Sequence, residues 1–194
     1  MRKTIASAVV LVILCVGYVA WPFASMFAVV RAAQAGDVAK VQGRVNFPAL
    51  RRSLAGQIVA TYARLNGIRP DPTGLTVGAV TSFMDPFIEK LMSPVAITEL
   101  MRSGWPKGVM DERPAGVEGL DLDSLGNVWQ LYLNSDYGIG EVRTTVPIRA
   151  PRDKQYRVQL ALSDWTWKLS GLDLPVALQE RLVRELMKQQ GKTG

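Results

Sequence analysis

Between Lys3 and Arg31 the sequence carries no charged residue, and from Ile5 to Ala20 it is almost wholly apolar. A helix rises about 1.5 Å per residue, so roughly 20 apolar residues cross the hydrocarbon core of a bilayer. The run is long enough to do so. An all-round apolar helix at a chain terminus has no place on the surface of a water-soluble domain. The first 30 residues are therefore read as a transmembrane helix, with lipid contact through residues 4–30. Tyr18, Trp21, Phe23 and Phe27 cluster at its far end, as an interfacial aromatic belt does. Pro22 is expected to kink the helix near that surface.

The sites at which the segment could be cleaved are poor. Tyr18-Val19-Ala20 is followed by Trp21-Pro22, and Ala33-Gln34-Ala35 lies beyond Arg31. Leu14 precedes Cys15 where a lipoprotein signal needs a small residue. An uncleaved signal-anchor is expected. Arg2 and Lys3 face Arg31 and Lys40 across the span, so flanking charge does not set the orientation. A short basic tail before an apolar run has the form of an export signal. It places the remainder outside the cytoplasm.

Residues 31–194 read as one α+β domain, helices first and a small antiparallel sheet afterwards. Gly36-Asp37 stops one helix and caps the next. Asn46 and Pro48 open a helix that places Leu50, Leu54, Ile58 and Leu65 on one face and ends at Asn66-Gly67. A turn-rich connection over 66–74 leads to a helix grouping Phe83, Phe87, Ile88 and Leu91. Ser93-Pro94 starts another, carrying Ile97, Leu100 and Met101 and stopping at Gly104. A Gly/Pro-rich loop fills 104–119, and Asp123 or Ser124 is the expected cap of a helix through Trp129 to Leu133. Alternation then sets in at Val142, Thr144, Val146 and Ile148, at Tyr156, Val158, Leu160 and Leu162, and at Trp165, Trp167 and Leu169. A Ser163-Asp164 turn would set Leu162 against Trp165, Leu160 against Trp167 and Val158 against Leu169, with both tryptophans in the core. Pro175 opens a last helix whose stripe is Leu178, Leu182, Val183, Leu186 and Met187. A chain beginning near Arg31 is expected to fold alone.

Several short stretches, in this order and spacing, make the chain familiar. They are Gly17-Tyr-Val-Ala-Trp-Pro22, Arg31-Ala-Ala-Gln-Ala-Gly-Asp37, Val45-Asn-Phe-Pro-Ala-Leu-Arg51, Phe87-Ile-Glu-Lys-Leu-Met-Ser-Pro94, Trp165-Thr-Trp-Lys-Leu169 and Asp173-Leu-Pro175. With them the chain resembles the bacterial domain of unknown function 2939 family, uncharacterised membrane-anchored proteins, over most of residues 1–175. The resemblance implies a membrane-tethered α+β domain and supplies neither an activity nor site residues. The order of helices and curved sheet is also similar, at fold level only, to the cone-shaped nuclear-transport-factor-like folds.

Composition narrows the chemistry further. There is no histidine and one cysteine, Cys15. That excludes a Ser-His-Asp triad, a Cys-His pair, an imidazole metal ligand and an internal disulfide. Gly191-Lys-Thr193 lacks the first glycine of a phosphate loop, and Gly138-Ile-Gly140 lacks the third glycine of a dinucleotide fingerprint. Asp121, Asp123 and Gly126 suggest a calcium loop, but Leu125 and Tyr132 stand where oxygen ligands belong. Asp111, Glu112, Glu118, Asp121 and Asp123 cluster inside the loop region, a pattern more typical of a solvated segment than of an acid–base pair. No catalytic residue, metal or cofactor is expected. Trp129, Trp165 and Trp167 are the candidate pocket-lining residues. The net charge of +6 includes seven Arg/Lys over residues 31–69 and a second basic group, Arg143, Arg149, Arg152, Lys154 and Arg157. Of these, Arg149, Arg152 and Lys154 are the candidate contacts for an anionic partner. For a tethered domain that partner is lipid headgroups or an acidic envelope protein rather than nucleic acid. The expected function is partner or ligand binding near the membrane. An envelope enzyme using carboxylates or a divalent ion is the alternative.

Overall fold

The uncharged run forms the greater part of one helix, α1 (Arg2–Gln34), with Pro22 inside it. At 1.5 Å per residue α1 is about 50 Å long. The computed structural model describes residues 2–68, 82, 85–106, 119, 120, 122, 123 and 125–191. After α1 come α2 (Val38–Gly43), α3 (Phe47–Leu65), helical residues 85–91, α4 (Pro94–Ser103) and α5 (Val128–Leu133). Four strands follow, β1 (Ser135–Gly138), β2 (Glu141–Val146), β3 (Tyr156–Ser163) and β4 (Thr166–Asp173), and α6 (Val176–Gly191) closes the fold. The sheet is an antiparallel meander in the order β1-β2-β3-β4. The α+β class and the order of helices, sheet and final helix are those expected.

The helix boundaries follow from side-chain caps. Asp37, Asn46 and Ser93 each accept a hydrogen bond from the backbone N–H three residues on, which satisfies one of the unpaired donors at a helix start. Gly104, at φ +79°, ends α4 in the left-handed region that glycine adopts without strain. The cap of α5 is Asn127, not Asp123 or Ser124. Its side chain accepts from Gln130 N (2.8 Å) while Gln130 Oε1 accepts from Asn127 N (3.4 Å), a complete capping box. The turn-rich segment from 69 onward and the loop over 107–118 lie outside the described residues.

Leu50, Leu54 and Ile58 of α3 are buried, and Thr61 takes the next place on that face, leaving Leu65 exposed at the helix end. Leu54→Ala is expected to cost about 2–5 kcal/mol, read from the denaturant midpoint. Polar contacts tie α3 to the far end of β4. Gln57 Nε2 donates to Leu172 O (2.8 Å), and Gln57 Oε1 accepts from Leu174 N (2.8 Å). These bonds satisfy backbone groups where the chain leaves the sheet. In α6, Leu178, Leu182, Val183 and Leu186 are buried while Met187 is exposed.

Val142, Thr144 and Val146 on β2, and Tyr156, Val158 and Leu160 on β3, face the core as their alternation requires. The register of the last hairpin differs from expectation. Its two turn residues are Asp164 and Trp165, both with positive φ, so Leu162 opposes Trp167 and Leu160 opposes Leu169. A bulge at Ser170 then sets Val158 against Leu172. The loop keeps its length of two, so the same faces point inward, but Trp165 is moved out of the strand. Trp167 is 1% exposed and Trp165 is 84% exposed. β1 had no counterpart in the sequence pattern.

The largest departure concerns α1. The helix runs unbroken through the boundary expected at residue 30. Phe23, Met26, Val29, Val30, Ala32 and Ala33 belong to the core of the α+β domain. Phe23 and Phe27, expected in an interfacial belt, are packed into or against that core, whereas Tyr18 and Trp21 are about half exposed.

Burial also perturbs Tyr156, whose phenol is pushed from 10.0 up to about 12. A buried phenol resists ionisation because its anion loses hydration. Neutral Tyr156 therefore contributes its full stability below pH 10, and that contribution is lost as pH rises from 10 toward 12. Tyr156→Phe is expected to flatten the fall in stability above pH 10, measured by denaturant unfolding across that range.

Candidate functional site

The basic residues singled out from the sequence lie on the connection between β2 and β3. Arg152–Lys154 forms a single turn of 3-10 helix, and Gln155 Nε2 pins the connection by donating to Pro147 O (3.1 Å). Arg149, Arg152 and Lys154 are all exposed. Beside them an open polar cleft of about 640 Å³ is lined by Asn134, Thr145, Arg152, Gln155, Arg157 and Asp173 among others. Arg149 and Lys154 do not line it. Arg157 reaches it from β3, directly across from Asp173 of β4. No ion pair within 4.0 Å engages Arg152 or Arg157 among the described residues. Two planar guanidinium groups with open donors suit a carboxylate or phosphate, which they can hold by paired hydrogen bonds. Asp173 on the rim limits how much negative charge the cleft can take.

The cleft's position bears on what it can meet. It sits at the end of the sheet where β2 meets β3, whereas the Ile139-Gly140 and Asp164-Trp165 turns lie at the other end. The eight residues of β3 separate the two ends by about 25 Å.

The three tryptophans stand in three different settings. Trp129 is 66% exposed and stacks on Tyr132 with ring centroids 5.5 Å apart. Trp165 is at a turn, and Trp167 is core, with Tyr18 edge-on to its ring at 6.2 Å. A void inside the core is only about 10 Å³ and is lined by Met26, Val29, Val30, Leu160, Leu169 and other apolar side chains. That is the lower limit for one water, and its lining offers no polar partner. Asp111, Glu112, Glu118 and Asp121 lie outside the described residues, and Asp123 is exposed. Among the described residues no group of three or more acidic or cysteine side chains is placed to hold a metal. The Arg157–Asp173 pair is not legible in the sequence, because it depends on the bulged β3–β4 register.

Ile5–Gln34 is long and apolar enough to cross a membrane, a description that a signal sequence also meets. An apolar N-terminal helix whose distal part is built into an α+β domain defines the class. The model of the family described as protein of unknown function (DUF2939) matches residues 11–100, and over that stretch the chain is similar to this family. The match covers most of α1, the helices after it and much of α4, but not the sheet. The Trp165–Leu169 and Asp173–Pro175 stretches lie outside it. No curated protein and no solved structure matches the chain.

Proposed function

We propose that this is a single-pass protein of a bacterial inner membrane, held by an uncleaved α1, whose periplasmic α+β domain is a binding module without catalytic activity. Its partner is an acidic protein of the envelope, received at the Arg152–Arg157 cleft. The observation that carries the anchor is the double use of α1. Ile5 to Trp21 expose apolar side chains, and the same helix continues into the core from Phe23. Cleavage after Ala35 would remove core residues, so it conflicts with the fold. The choice of partner rests on Arg152 and Arg157, which have no ion pair among the described residues, and on the cleft's distance from the end of the domain that α1 leaves.

Cell fractionation with N-terminal sequencing of the mature protein tests the anchor. The expected product stays with membranes and keeps residues 1–20, whereas a soluble product starting at Trp21 overturns it. A phosphatase fused after Gly194 is expected to be active if the domain is exported. For the cleft, Arg152→Gln with Arg157→Gln is expected to abolish a crosslinked partner captured by the wild-type chain in intact membranes. Capture of the wild type should weaken as salt rises, since exposed charges are screened.

A further inference from the structure

Both hairpin turns near the exposed part of α1 carry a large apolar side chain with nothing over it. Ile139 is fully exposed between Gly138 and Glu141, and Trp165 is exposed between β3 and β4. Leu162 N donates to Gly140 O (2.8 Å), which ties the two turns to one end of the sheet.

The direction of that end follows from contacts with α1. Ser25 Oγ donates to Trp167 O (2.6 Å), and Met26, Val29 and Val30 share an apolar void with Leu169 and Leu172. Moving up α1 from Ser25 to Val30 therefore parallels moving along β4 away from its turn. The opposite direction leads toward the exposed apolar stretch. Trp165 stands two strand residues beyond Trp167, about 7 Å, which equals roughly four residues of helix. Counted back from Ser25, this puts the turn level with Trp21, and Tyr18 already touches the Trp167 ring.

The turn residue itself is a poor choice for the turn alone. Positive φ at both central positions favours glycine or asparagine, and a bulky side chain there is strained. Here Trp165 has φ +57°. The nearby charges are paired, Lys168 with Asp164 (3.5 Å) and Arg143 with Glu141 (2.6 Å). Tryptophan and tyrosine at one level, next to an apolar span, match the amphipathic environment of a bilayer's headgroup boundary.

We propose that the two hairpin tips, through Trp165 and Ile139, dock into the headgroup boundary of the bilayer beside Tyr18 and Trp21. This rests on the reading of α1 as a membrane span. The occupant of the patch is phospholipid, and the effect is to fix the domain's tilt, with the Arg152–Arg157 cleft turned away from the surface.

Spin labels in the full chain test it, after reconstitution in vesicles of phosphatidylethanolamine and phosphatidylglycerol and in a Cys15→Ser background. Labels at Ile13→Cys, Asp164→Cys and Lys154→Cys report the span, the tip and the distal connection. Collision with oxygen relative to a water-soluble nickel complex is expected to be high at 13 and low at 154. At 164 it should be several-fold above 154. Adding Trp165→Gly and Ile139→Ser should bring position 164 down to the value at 154, with the unfolding midpoint in detergent unchanged. A deep label at 13 with an aqueous one at 164 overturns the tip contact and leaves the anchor standing. An aqueous label at 13 overturns the anchor, and the tip contact with it. A label at 164 that stays at the boundary in the double variant removes Trp165 and Ile139 as its cause and overturns the proposal.

Discussion

A chain that begins at Arg31 is expected not to fold. It lacks Phe23, Met26, Val29 and Val30, all 3% exposed or less. Truncating one buried phenylalanine to alanine costs about 3–5 kcal/mol and a buried methionine about 2–5. Removing four such residues together with their backbone exceeds the roughly 5–15 kcal/mol by which a domain is normally stable. Ser25 is lost as well, and with it the hydrogen bond to Trp167 O. A chain that begins at Trp21 keeps every one of these contacts and is expected to unfold cooperatively. Circular dichroism and denaturant titration of the two chains check this. A cooperative transition for the chain starting at Arg31, within about 2 kcal/mol of the other, would show that α1 contributes little to the core.

The position of this boundary shows what hydropathy can and cannot reveal. A residue facing lipid tails and one facing a protein core are both apolar, so Val10 and Val29 look alike in sequence although one is exposed and the other buried. Charge was the visible marker, and Arg31 is merely the first charged residue after Lys3, exposed on a helix that is already part of the core. The caps at Asp37, Asn46, Ser93 and Gly104 were legible because each is a local choice of residue for one backbone conformation. Three of the four strands were legible because one face of each is buried. β1 escaped because it is a short edge strand with three of its four residues exposed, and so has no alternation to read. The candidate site was legible only in part. Arg149, Arg152 and Lys154 are neighbours in sequence, but the cleft needs Arg157 and Asp173, which meet only through strand pairing.

Trp129, Trp165 and Trp167 are expected to respond very differently to substitution. Trp129→Ala and Trp165→Ala should each change stability by no more than about 0.5 kcal/mol in detergent, because both rings are largely in solvent. Trp167→Ala should cost about 3–5 kcal/mol, since it opens a large cavity between β4 and α1. Trp167→Phe separates two parts of that cost. The buried Nε1 of Trp167 has no hydrogen-bond partner among the described residues. Leaving a buried donor unsatisfied costs about 1–3 kcal/mol, and phenylalanine removes the donor. Phenylalanine also leaves a void, at about 24 cal/mol per Å³, so a deficit of some 40 Å³ costs about 1 kcal/mol. The two effects nearly cancel, and Trp167→Phe is expected to lie within about 1 kcal/mol of wild type. Chemical denaturation of the four variants checks the series. A loss of 3 kcal/mol or more on Trp167→Phe would mean that the indole N–H is satisfied in solution, by a water or by a group on Tyr18's side of the ring, and that the contact between α1 and the hairpin is polar as well as apolar.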